Sequence, residues 1–271
     1  KKKAKRTISP LVQALSVICL NLAARKIIDG SLTIKNREEI AYFFAYSAVT
    51  QLNFMYDNLS RDNLLYSFKH KYDINGNDEL KMDEVSLKLL PQYYACEAAA
   101  LTQNLIDGTK SCLRLNPNSQ RAIMNLLPDL CHIAKKDAFY TSSRILCQIC
   151  DSLMNIYQYT DFSKTLVYNT INILGQELCE RITKNGEILR LPDDSKVSSF
   201  FTTLMALSVL SRLYLLFGFP NYLSSALILY NVLINCWDEE HGIFLKNQYN
   251  TIEYSVKEIG DLFSSLRNFR N

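Results

Sequence analysis

The chain has 271 residues, 48% of them apolar, which is enough to bury a large core without disulfides or metals. With only 8 Gly and 6 Pro it lacks the turn density of a sandwich or barrel, so the composition favours helices. Five positive charges crowd into Lys1-Lys2-Lys3-Ala4-Lys5-Arg6, and the rest carries 25 basic against 27 acidic side chains. That balance argues against nucleic acid as the partner of the protein's body and reads the basic start as a solvated tail.

Apolar residues three and four apart predict helices over 9–29, 37–59, 62–71, 83–107, 118–134, 137–157, 161–184, 196–217, 220–237 and 251–269. The first follows the basic run, and Ile8 to Ala24 has the look of a secretory signal. Ser9, Pro10, Gln13, Ser16 and Asn21 interrupt it, however, and it falls short of the about 20 apolar residues a spanning helix needs. It reads as a buried first helix, with no transmembrane segment. Helix starts are marked by Ser9-Pro10, Asn36, Asn116-Pro117, Asp137, Asp161 and Ser195.

The eight cysteines sit mostly singly among apolar residues, which fits a reducing, cytoplasmic compartment. Cys147 and Cys150 form a CxxC inside a helical run with no flanking Gly or Pro and no second pair, so core packing is their expected role.

Between the third and fourth predicted helices, residues 73–84 match a twelve-residue EF-hand loop. Asp73, Asn75 and Asn77 supply oxygens at positions 1, 3 and 5, Glu79 a backbone carbonyl at position 7, and Glu84 a carboxylate at position 12. This points to calcium as a cofactor in an inserted loop. Position 6 is Asp78 rather than glycine, and Asn75-Gly76 also suits a plain turn.

Four helices run out into similar tracts: Asp29-Gly30 with Leu32 and Ile34, Asp107-Gly108 with Leu113 and Leu115, Asn185-Gly186 with Ile188 to Leu191, and His241-Gly242-Ile243-Phe244. Each pairs a glycine suited to a helix end with an extended apolar segment, which implies a repeating helical hairpin. This unit, together with Cys236-Trp237-Asp238-Glu239-Glu240-His241-Gly242-Ile243-Phe244, resembles the α/α-toroid proteins known as six-hairpin glycosidases, a group that includes sugar epimerases and polysaccharide-degrading enzymes. The resemblance implies an all-α fold of antiparallel hairpins, with residues 1–271 as a single toroid-like domain. Six hairpins need twelve helices, and the periodicity supplies nine or ten, so a smaller or incomplete toroid is expected.

The resemblance further implies a carbohydrate partner, with glycoside hydrolysis by paired carboxylates as the favoured chemistry. Two carboxyls must then flank the sugar, roughly 5–10 Å apart. Candidates are Asp193 and Asp194, Glu253, and Glu97, an acid inside an otherwise apolar helix where burial would raise its pKa towards a general acid's range. Tyr93, Tyr94, Arg190, Trp237, Tyr249 and Tyr254 are the candidate substrate-binding residues. Helix capping is the competing role for Asp193 and Asp194, and a helix first turn for Glu253. No Ser-His-Asp, HExxH, P-loop or GxGxxG pattern occurs, which sets aside triad hydrolases, zincins, kinases and dinucleotide enzymes. The alternative is a non-catalytic helical-repeat scaffold whose concave face holds a protein or peptide.

Overall fold

The computed structural model describes residues 7–62, 64–72, 78–82, 88–109, 112–121, 125–194, 196–240, 243–244, 254, 259–260 and 262–263. Nine helices occur among them: α1 (Pro10–Ile28), α2 (Arg37–Asn58), α3 (Leu89–Thr109), α4 (Pro117–Arg121), α5 (Leu127–Asp137), α6 (Ser143–Tyr159), α7 (Lys164–Glu180), α8 (Phe200–Phe217) and α9 (Pro220–Ile234). The short strands are β1 (Thr7–Ile8), β2 (Ser60–Arg61), β3 (Leu64–Leu65), β4 (Phe68–Tyr72), β5 (Asp78–Met82), β6 (Trp237–Asp238) and β7 (Ile243–Phe244). The residues group into two compact units, one of 1–132 with 155–167 and the other of 133–154 with 168–271.

In the first unit α1 packs on α2 and α3. Pro10 opens α1 at its first turn, and Gly30, at φ +82°, ends it in the left-handed region that a residue with a Cβ avoids. Ala14, Val17, Ile18, Ala24 and Ile27 form its buried stripe, while Val12, Leu15 and Leu22 stay exposed, so only one face of the predicted core helix is covered. By length and apolarity α1 and α8 could each cross a membrane. Buried Asn21 ties α1 to α3 by donating from Nδ2 to Thr102 Oγ1 at 2.8 Å. α3 is apolar over most of its length and buried to match, and its buried Thr102 donates to the carbonyl of Ala98 at 2.6 Å. Gln92 accepts from Leu65 N at 3.0 Å and donates to Leu65 O at 2.9 Å, docking the β2–β3 hairpin on the helix. The cap expected at Asn116 is present, its Oδ1 accepting from Ser119 N at 2.8 Å.

The helix predicted over 62–71 is not formed. These residues enter β3 and β4, and β4 pairs antiparallel with β5, with Phe68 opposite Met82 and Lys71 opposite Glu79. β1 completes a three-stranded sheet on the other edge of β4. The helix that should enter an EF-hand loop is therefore replaced by β4, and Glu79 lies in strand β5. Asp73, Asn75, Asn77 and Glu84 fall outside the described residues. Three helix starts also move. Asp137 ends α5 rather than opening a helix, α7 begins at Lys164 rather than Asp161, and α8 begins at Phe200 with Ser199 as its cap.

In the second unit α8 and α9 form an antiparallel hairpin turned by Gly218, at φ +73°. α7 lies against both through Gly175, where an added Cβ would stand 2.7 Å from Leu213 Cδ1 and 3.0 Å from Tyr222. After α7 the chain returns through two isolated bridges, Ile182 with Ile188 and Leu189 with Val197, and then enters α8. Gly186 turns the first bridge at φ +76°, with a would-be Cβ only 2.3 Å from Val232 Cγ2 and 3.1 Å from the carbonyl of Ile228. Cys147 and Cys150 are fully buried in α6, and burial pushes both thiols up, as core packing implies.

Gly186→Ala combines a positive φ with a side-chain clash against Val232 and a tight approach to the Ile228 carbonyl, so it is expected to lower the unfolding free energy by roughly 2–4 kcal/mol in urea melts. Gly108→Ala, where an added Cβ meets nothing within 4 Å, is expected to change stability by less than about 1 kcal/mol. Calorimetric titration of calcium tests the hairpin: with 78–82 in a ladder, the heats of the wild type and of a Glu84→Ala variant are expected to coincide and not to saturate.

Candidate functional site

In the first unit, Glu97 and Tyr93 stand one turn apart on α3, both buried. The Tyr93 hydroxyl donates to the carbonyl of Leu130 at 2.8 Å, and Glu97 Oε1 accepts from Asn155 Nδ2 at 2.7 Å. Glu97 is only 3% exposed, whereas its place among apolar residues also suited a partly exposed helix face. Tyr94 is half-buried on the same helix.

In the second unit one side chain organises the connection between α7 and α8. Arg181 is 1% exposed, and its guanidinium donates to the carbonyls of Ala138 (2.8 Å), Phe139 (3.2 Å), Thr141 (2.6 Å) and Arg190 (3.4 Å) and to Ser143 Oγ (3.2 Å). Glu177, one turn earlier, supplies the counter-charge, with an ion pair at 2.8 Å. Ser143 reinforces the join, donating from N to Arg190 O at 3.0 Å and from Oγ to Leu189 O at 2.5 Å.

This join sets the loop that carries Arg190, Asp193 and Asp194. Arg190 gives both backbone groups to the return, accepting from Ser143 N and donating to Lys196 O at 2.9 Å, while its side chain stays exposed. Asp193 is exposed, and Asp194 Oδ1 accepts from Lys196 N at 3.0 Å, closing the turn. Neither aspartate caps α8, because Ser199 fills that position and accepts from Thr202 N.

An aromatic cluster gathers at the same N-terminal end of α8. The Trp237 ring meets Phe244 edge-to-face at 4.9 Å, and Phe244 lies 6.0 Å from Phe200. Phe201 meets Tyr254 at 6.1 Å, and the Tyr254 hydroxyl donates to the carbonyl of Phe244. Two candidates far apart in sequence, Trp237 and Tyr254, are thus brought together through Phe244. Trp237 remains 40% exposed, leaving part of an indole face open to a flat apolar partner such as a sugar ring. The charged loop leads into α8 and the aromatics flank its first turn, which makes this end of the helix the candidate site. Glu253 and Tyr249 lie outside the described residues, and Glu97 belongs to the other unit.

Arg181, Asn155, Phe200, Phe201 and Phe244 were not among the sequence candidates. Phe244 closes the quoted Trp-Asp tract and could have been found there. An arginine in the last turn of a helix reads instead as dipole compensation, so Arg181 carries no separate signal.

No family model and no curated protein sequence matches the chain. Solved structures that share its fold include a D-mannose isomerase (TM-score 0.67, 12% identity, 97% of this chain and 71% of that one), a cellobiose 2-epimerase from Spirochaeta thermophila (0.58, 14%, 97% and 70%) and a cellobiose 2-epimerase from Bacillus thermoamylovorans (0.54, 10%, 98% and 72%). These are α/α-toroid enzymes, and the fold of this chain is that of the α/α toroid, as the hairpin pattern implied.

Replacing Arg181 by Met takes away the guanidinium donor of the Phe139 and Thr141 carbonyls, removes one of the donors to those of Ala138 and Arg190, and leaves the largely buried Glu177 carboxylate without its cation. The expected cost in a urea melt is roughly 3–5 kcal/mol, and Arg181→Lys, which keeps the charge but not the planar fork, is expected to recover only a minor part.

Proposed function

We propose that this protein acts on a carbohydrate and that its chemistry is the isomerisation or epimerisation of a free sugar. The observation that carries the reading is the likeness, over 97% of the chain, to a mannose isomerase and a cellobiose 2-epimerase. The reading gains support from the N-terminal end of α8, where a part-exposed indole and exposed charged groups offer the two kinds of contact a sugar uses: apolar ring faces and hydrogen-bonded hydroxyls.

Glycoside hydrolysis, the chemistry favoured on sequence grounds, has less to draw on. It needs carboxyls on opposite sides of the scissile bond, whereas Asp193 and Asp194, the two candidates described in the second unit, are consecutive in one turn. Isomerisation makes a smaller demand. A base removes the proton from C2 of the opened sugar, donors hold the developing enediolate oxygen, and the proton returns either to C1 or to the opposite face of C2. A scaffold reading draws on the exposed aromatics Tyr42, Phe43 and Tyr46 of α2, a face that could take a protein or peptide.

Trp237 is the only tryptophan, so its fluorescence reports directly on the candidate site. Titration with mannose and cellobiose is expected to give a saturable change. Proton NMR in D2O is expected to show loss of the C2 proton signal with appearance of the ketose or the C2 epimer. Trp237→Phe is expected to raise KM roughly three- to tenfold with little change in kcat. Release of new reducing ends from cellobiose would favour hydrolysis instead, and the absence of both turnover and fluorescence change would remove the carbohydrate reading.

A further inference from the structure

A cavity of about 350 Å³ opens in the first unit where the last turns of α1 and α3 meet the C-terminal end of α6. Leu22, Arg25, Asp29, Asn104, Gly108 and Tyr159 line it. Asp29 and Gly108 come from the first two glycine tracts, so the fold sets two of the repeated hairpin ends side by side around one hollow.

Arg25 is the group in it that the fold leaves unexplained. Its guanidinium lies over the Tyr159 ring, 4.2 Å from the centroid. Nη2 donates to Asn104 Oδ1 at 2.5 Å and to the carbonyl of Leu101 at 3.4 Å. The buried Nε meets no acceptor, and no carboxylate among the described residues pairs with the cation. Asp29 is the only acid in the lining, and its Oδ1 accepts from Ser31 N at 2.9 Å while Lys26 and Arg37 supply its charge partners. Burial depresses the Arg25 pKa, the expected response of a guanidinium withdrawn from water without a counter-ion. Arg181 makes the contrast: it is more deeply buried and has Glu177. A half-buried cation held flat by a ring and an amide, with donors to spare, is arranged for an oxyanion brought by a ligand.

We infer that this cavity binds an anionic monosaccharide, its carboxylate or phosphate on Arg25 and its hydroxyls within reach of Asn104 and Tyr159. The volume is at the small end for ligand sites, which suits a single sugar. The choice of a sugar over another small oxyanion rests on the proposed function, while the anion requirement rests on Arg25 alone.

Isothermal titration of the whole protein with glucuronate, glucose 6-phosphate, glucose and inorganic phosphate tests this. At least one of the two acidic sugars is expected to bind saturably, and more tightly than either glucose or inorganic phosphate. Arg25→Gln is expected to weaken that binding roughly ten- to hundredfold. Gly108→Leu is expected to do the same by filling the hollow, without touching the guanidinium. Both variants are expected to melt as the wild type does or to show native circular dichroism at the titration temperature. No saturable binding of either acid, glucose bound as tightly, inorganic phosphate bound as tightly, or affinities unmoved by both variants would each overturn the inference. Mannose or cellobiose conversion by a wild-type protein that binds neither acidic sugar would sink this inference alone. Arg25-dependent binding of an acidic sugar by a protein that converts no sugar would uphold it and remove only the proposed reaction.

Discussion

One buried guanidinium decides how the second unit is put together. Arg181 directly follows α7 with its side chain turned inward, and its donors reach carbonyls on both the segment between α5 and α6 and the return that leads to α8. The carbonyls of Ala138 and Arg190 also accept from Thr141 N and Ser143 N, whereas those of Phe139 and Thr141 lie outside any helical ladder, and a withdrawn carbonyl short of a donor is costly. The cation therefore replaces secondary structure as the organiser of two irregular segments. Its own burial is tolerable because Glu177 is one turn away and nearly every N–H finds an oxygen.

The consequence reaches the candidate site through the backbone. Arg190 is held by its carbonyl, from Arg181 on one side and Ser143 on the other, so its side chain and the Asp193-Asp194 turn project from a fixed base rather than from a loose loop. The same return feeds Ser199 into its cap position, and Phe200 and Phe201 follow at once into the aromatic cluster. Rigid support for exposed polar groups is what a binding loop needs, since the ordering entropy is lost on folding rather than on binding. Glycines serve the same end: Gly175 and Gly186 sit where a side chain would strike α8 or α9.

Much of this was legible in the sequence. Spacing by three and four located the long helices because each buries a continuous stripe. The glycine tracts announced the hairpin unit, and the Trp-Asp tract became the β6–β7 hairpin that carries Trp237. The error over 62–71 has a physical origin. Leu64, Leu65 and Phe68 form a short apolar run that fits either period, but Phe68, His70 and Tyr72 alternate with Lys69 and Lys71, and Leu80 and Met82 alternate with Glu79 and Lys81. Period two on both sides of a polar turn is a hairpin signal, and it outranked the resemblance to a cation loop. Asp137, Asp161 and Ser195 misled as helix starts because turn residues and caps share a chemistry. The pairing of Trp237 with Tyr254 and the reach of Arg181 depend on contacts between segments remote in sequence, which no local pattern encodes.

The claim that Arg181 organises the unit is tested most directly by amide hydrogen exchange on the wild type and Arg181→Lys under conditions where both stay folded. The account predicts that amides of 138–143 and of 182–198 lose protection together, including Ser143, whose N–H is held by Arg190 O, while those within α8 and α9 keep theirs. Loss confined to the last turn of α7, with both distant segments unchanged, would contradict it.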